Sequence, residues 1–198
     1  MTTGTTTHDA HQRYTTIAIL LHWAIAFFIF NNLMFGFFME HYPEPDRRAA
    51  IWFHVSCGLS VLALVVLRVL WRSTHRPPPF PPGTTQLEGR LAHAVHHGLY
   101  LLMFAMPVTG WLFLSANPPG RPGPMIFGLF EMRRLAYLNY LEPRELQKRI
   151  HDMLVEVHSV GAWILIGLLV LHVAGALKHQ FIDRQPELAR MGLGRLRR

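Results

Sequence analysis

Four apolar stretches, approximately residues 17–39, 51–71, 97–115 and 157–177, are each long enough to cross the ~30 Å hydrocarbon of a bilayer as one α-helix. In that solvent every backbone N–H and C=O must be paired within its own segment, so such stretches fold as helices packed on one another. Charged residues make up only 16% of the chain and hydrophobic ones 51%, a balance that disfavours a water-soluble domain of this length. The expected fold is therefore all-α, an integral membrane four-helix bundle, with residues 1–198 forming a single domain.

The segments between the spans bear on the topology. Met1 to Thr16 carries one Arg and no basic run, and no small-residue cleavage site follows, so the first stretch is expected to remain in the mature chain. Pro77, Pro78, Pro79, Pro81, Pro82 and Gly83 exclude a helix and predict a stiff loop. Pro107 lies inside the third stretch and predicts a kink there. The connection from Ala116 to Glu156 opens with a Pro/Gly cluster, then alternates apolar and charged residues from Met125 to Leu154, as an interfacial helix would.

A formal charge of +7 would raise nucleic acid as a partner for a soluble protein, but here the basic residues flank apolar spans. Membrane lipid phosphate is the simpler partner, and no nucleic acid is expected. An even number of spans puts both termini on one side. That side carries ten Lys and Arg against eight, and six of the eight lie in the long connection, where they count least. The termini are therefore expected in the cytoplasm. Cys57 is the one cysteine, which excludes a disulfide framework, a C-x-x-C-H haem attachment and a thiolate zinc site. Any metal centre must rest on histidine.

His158 and His172 lie fourteen residues apart in the fourth span. Fourteen helical residues rise about 21 Å and turn through about 1,400°, roughly 40° short of four turns, so both rings share one face near opposite membrane surfaces. Depth then sorts the others. His22, early in the first span, can meet His172; His54, early in the second, can meet His158. Neutral imidazole is the usual axial ligand of b-type haem iron, and ionisable groups inside a span point to function. A haem packed on a helix needs small residues about one turn from its ligand. Ala26, Gly58, Gly161 and Gly175 stand at such offsets from the four histidines. His93, His96 and His97 lack them, and read as a polar lining at the cytoplasmic mouth of the third span or as plain interfacial histidines. Arg68, fourteen residues after His54, suits a haem propionate, a quinone oxygen or a lipid phosphate. His179, seven residues after His172, suits a proton carrier beside a quinone or a solvated helix end.

The second span, from Ile51 through His54 and Gly58 to Arg68, Trp71 and Arg72, resembles the bacterial cytochrome b561 family of four-helix membrane proteins. The likeness extends to His22 and Trp23, to Leu91 and His93 with Tyr100 and Met106 to Gly110, and to His158 and the run from His172 to His179. It covers nearly the whole chain except the Thr-rich start and much of the long connection. The resemblance implies two b haems in the bundle, with His22 paired to His172 and His54 to His158 as iron ligands. It implies a multi-pass protein of the bacterial inner membrane. His179, His93 and His96, by their position, are the candidates for a quinone mouth.

The activity that this resemblance implies is transmembrane electron transfer, in the superoxide oxidase-like case between superoxide at the outer face and ubiquinone. Six basic against five acidic residues in the long connection leave little field to steer an anion. A cytochrome b subunit exchanging electrons between the quinone pool and a periplasmic or dehydrogenase partner is the alternative. A haem-free metal-ion carrier is a third reading, and it would need more polar groups along the spans than Asn31 and Asn32 supply.

Overall fold

The computed structural model describes residues 13–81, 83–120 and 122–194. Pro82, Arg121 and the tail arginines Arg195, Arg197 and Arg198, on which the loop and charge expectations drew, lie outside the described residues, as does Met1 to Gln12. Four long apolar helices dominate, joined into a membrane helical bundle. Helix α1 spans Thr16–Phe38 and starts on Thr15, whose hydroxyl accepts from the Ala18 N–H. Helix α2 spans Asp46–Thr74. Helix α3 spans Gln86–Ser115 and opens with a reciprocal cap: Thr85 accepts from Glu88 N–H, and the Glu88 carboxylate accepts from Thr85 N–H. It runs through Pro107 without ending.

The last long helix reaches well beyond its apolar part. It spans Arg144–Leu177 and continues as one wide turn over Lys178–Ile182. Thirty-four residues make about 51 Å of helix, some 20 Å more than the hydrocarbon needs. The extra turns are polar, so hydropathy alone does not mark them, and their exposed surface carries Glu145 with Arg149 and Lys148 with Asp152 at i,i+4 spacing.

Ahead of that helix, the long connection is not the interfacial helix that its alternation suggested. It forms strands β1 (Met125–Ile126) and β2 (Phe130–Glu131), paired antiparallel, and then a single turn, α4 (Ala136–Asn139), so the helix from Arg144 is α5. Phe127 and Gly128 both have positive φ, at 47° and 73°, and the Leu129 N–H donates to the Ile126 carbonyl across them, which closes a tight hairpin turn. For Phe127 this conformation is strained, and the bundle holds it: its N–H donates to Ser56 Oγ at 2.9 Å while its ring meets the edge of Phe53. Two further fully buried side chains anchor this connection. Ser115 Oγ accepts from Leu135 N–H, and the Gln147 amide donates to the Leu138 and Asn139 carbonyls. Non-local acceptors, not local periodicity, thus decide this segment. Ser56→Ala leaves the Phe127 N–H without its acceptor and is expected to destabilise the fold by about 1–3 kcal/mol, with the first change in the hairpin amides by hydrogen exchange.

Inside the bundle the four long helices share one register. On each, three positions spaced by seven residues mark three levels: His22, Ile29 and Gly36 on α1; His54, Val61 and Arg68 on α2; His96, Met103 and Gly110 on α3; His158, Leu165 and His172 on α5. The middle level is apolar and buried, with Ile29, Val61, Met103 and Leu165 all in the core cluster. Seven residues rise about 10.5 Å, which places the two flanking levels about 21 Å apart on either side of that plug. Spacing by seven suits helices that pack nearly parallel. Helices α1 and α2 pack closely, as do α3 and α5, and α2 meets α3. Between the α1–α2 pair and α5 backbone approach is sparse, which leaves side chains to fill the gap.

Candidate functional site

At the level remote from the termini, His54 and His158 face each other with ring centroids 6.2 Å apart. His54 Nδ1 lies 2.8 Å from the Asn32 carbonyl, and since a carbonyl only accepts, Nδ1 carries the proton and Nε2 keeps its lone pair. His158 Nδ1 lies 3.0 Å from Thr109 Oγ1, whose own proton is donated to the Met106 carbonyl. The hydroxyl therefore accepts from His158, which leaves that ring in the same tautomer. Glycines seat both rings. A Cβ on Gly36 would stand 3.0 Å from His54 Cε1, and one on Gly110 would stand 3.4 Å from His158 Cε1.

At the level nearer the termini, His22 and His172 face each other at 6.0 Å. A third ring joins them, for His96 lies 5.1 Å from His172 with its Nδ1 donating to the Ala92 carbonyl. Arg68 completes this level, donating from Nε to the Tyr100 hydroxyl and from Nη1 to the Ala18 carbonyl. His93 and His97 are less enclosed, His93 against the Phe80 ring and His97 bonded to the His93 carbonyl.

Below this level a charged cluster closes the bundle end. Lys178 Nζ lies 2.7 Å from both Glu88 Oε1 and Asp183 Oδ2, and His179 Nδ1 lies 2.7 Å from the same Asp183 oxygen. The ammonium beside it holds the Asp183 carboxyl below its ordinary range. Among the described residues Glu88, His179 and Asp183 form the one group of three donor side chains close enough for a metal ion, and Lys178 already neutralises both carboxylates. That arrangement sits at the helix ends and offers no path of ligands along the spans.

Asn32, Gly36 and Thr109 as supports of the rings remote from the termini, and His96 beside His172, are places that sequence reasoning does not assign. Of the glycines expected to clear space, a Cβ at Gly161 would lie 2.6 Å from Met106 Sδ, one at Gly58 would make ordinary contact with Asn32 Nδ2 at 3.5 Å, and the space beside Gly175 is open.

A family model of prokaryotic cytochrome b561 matches residues 13–194. The chain belongs to the prokaryotic cytochrome b561 family. It is 32% identical over 182 residues to "Cytochrome b561 homolog 2" of Escherichia coli K12, covering 91% of each chain. It is 26% identical over 184 residues to "Probable superoxide oxidase CybB" of Yersinia pestis, covering 91% of this chain and 96% of that one. "Cytochrome b562" of Cereibacter sphaeroides is 28% identical over 184 residues, covering 90% and 94%. Membership in this cytochrome b561 family implies b-type haem and electron transfer across a membrane.

The histidines fit such a group. Two imidazoles that would hold one metal ion between them, each at a metal–nitrogen distance of about 2.0 Å, would have ring centres about 6 Å apart. The 6.0 and 6.2 Å pairs match that spacing, and the 5.1 Å pair of His96 and His172 falls short of it. Hydrogen-bonded Nδ1 atoms on His54 and His158 are the outer support that a metal-binding imidazole requires.

Proposed function

We propose that the whole chain is one transmembrane domain holding two b haems, with His54 and His158 as axial ligands of one and His22 and His172 of the other. Its activity in this reading is electron transfer between superoxide at the outer face and ubiquinone near the termini, which lie in the cytoplasm. The observation that carries it is the pair of facing histidine couples at haem-ligand spacing, about 21 Å apart in depth across an apolar plug.

When bound, b haem supplies one-electron chemistry at an iron whose potential depends on ligand type, burial and hydrogen bonding. The protein's part is orientation and exclusion. Asn32 and Thr109 fix the two outer imidazoles in the tautomer that offers Nε2. Ile29, Val61, Met103 and Leu165 keep water and protons from crossing between the two levels. Arg68 places a guanidinium beside the inner couple, where it serves a propionate or a quinone oxygen. At the quinone mouth, with His93 and His96, His179 is oriented by Asp183 so that its other nitrogen can pass a proton.

A second reading, exchange of electrons between the quinone pool and a soluble partner, is favoured by the outer cap. Leu129, Phe130, Tyr137 and Tyr140 stand exposed there, a surface of the kind that partner proteins use. Reduced-minus-oxidised spectra with haem quantified per chain test the first part, and about two bis-histidine haems are expected. Stopped-flow mixing with superoxide, with and without ubiquinone, tests the second. Haems that superoxide leaves oxidised would move the assignment to the partner reading.

A further inference from the structure

A cavity of about 350 Å³ opens at the termini end of the bundle, between the start of α1, the end of α2, the proline loop and α3. Its wall carries four guanidinium groups, from Arg13, Arg68, Arg72 and Arg76, together with His75, and among the described residues no carboxylate lines it. Arg13, Arg72 and Arg76 make no ion pair with any described residue, and Arg72 rests over the Tyr100 ring at 5.8 Å. Arg68 is different. Tyr100 and Ala18 already hold it at the cavity floor. Like charges gathered this way repel unless an anion joins them. Glu187, the acidic group that acts on the neighbouring Tyr14, is already engaged with Arg190 at 3.0 Å.

The setting selects the anion. Arg72 and Arg76 follow directly on the end of the second apolar span, so the cavity lies at the depth of lipid headgroups. Trp71 lines it, and Leu67 stands one turn below Trp71 on the same helix face, with Leu70 beside it; both leucines are more than half exposed. Headgroup charge and acyl chain therefore find complementary surfaces in one place. We propose that this cavity is a specific site for the phosphate of an anionic phospholipid, held by Arg13, Arg72 and Arg76, with an acyl chain along Leu67 and Leu70. Arg13, Arg72 and Arg76 carry the site, and Arg68 is the lining residue it shares with the proposed inner haem site.

The test uses the full chain purified with its cofactor in mild detergent. Native mass spectrometry with added cardiolipin or phosphatidylglycerol is compared with phosphatidylcholine, and with inorganic phosphate at equal ionic strength. Retention of the anionic lipids is expected, with phosphatidylcholine retained less. Occupancy should fall at least about tenfold in an Arg13→Gln, Arg72→Gln, Arg76→Gln triple variant at unchanged haem content, with each single variant falling between. Leu67→Gln should weaken the lipid adduct and leave any phosphate adduct untouched. Equal lipid retention by wild type and triple variant overturns the proposal. So does displacement of the lipid by inorganic phosphate, which would assign the cavity to a free anion. Loss of haem in the triple variant overturns it too, because the arginines would then serve propionates.

Discussion

His172→Ala is expected to lower haem content from about two to about one per chain, and to leave the spectrum of the outer haem largely intact. The expectation rests on the buried apolar layer that separates the two histidine levels, so that an empty inner level need not disturb the outer one. His22→Ala should give the same result, since the His22 ring stands 6.0 Å from that of His172, the spacing at which the two would hold one metal ion. His96→Ala is the discriminating variant. At 5.1 Å from His172 its ring is nearer than that of His22, yet about an ångström short of the spacing that holding one ion between them would need, so its removal should shift the inner band and keep the haem. Haem retained in His22→Ala and lost in His96→Ala would replace His22 by His96 as the inner ligand.

Gly36→Val should empty the outer level selectively. Helix propensity alone predicts little harm, since glycine is poorer than almost any residue inside a helix. Against that, even a Cβ would lie 3.0 Å from His54 Cε1 and 3.2 Å from its Nδ1, and the ring cannot slide away without giving up its bond to the Asn32 carbonyl. Loss of such a supporting hydrogen bond typically costs about 10- to 100-fold in metal affinity. Outer haem should therefore be lost on dilution or during purification while the inner band persists. Gly36→Ala should show a milder form of the same defect. Gly167→Ala is the control, because nothing lies within 4 Å of its added Cβ and only a slight gain in helix stability is expected. An outer haem bound as tightly in Gly36→Val as in wild type would mean that His54 is free to move, and that its ring is not preset for a ligand role.

Much of this architecture is written in spacing. The fourteen-residue interval between His158 and His172 recurs as His22 to Gly36, His54 to Arg68 and His96 to Gly110. Two of the four intervals are conspicuous because both ends bear functional side chains. The other two end in glycine, which offers no chemistry to notice, although the glycines are what seat the outer rings. The unequal endings also explain why the two levels differ: three histidines and an arginine crowd one, and two histidines backed by two glycines form the other.

The apolar stretches by themselves determined four helices, because backbone in hydrocarbon has no other way to pair its polar groups. Spacing determined which side chains share a level, since helix geometry is set by the backbone and indifferent to neighbours. Tertiary structure decided the rest. Whether Met125 to Tyr140 coils or turns depends on acceptors in earlier helices: Ser56 stands 71 positions from Phe127, and Ser115 stands 20 positions from Leu135. Local periodicity is silent about partners so remote in the chain. Which tautomer each outer histidine adopts depends on Asn32 and Thr109 across helix contacts. The arginine-lined cavity likewise exists only because the start of α1, the end of α2 and the proline loop converge. Depth and face come from local helix geometry, whereas hydrogen-bond partners and converging charges depend on which helices become neighbours.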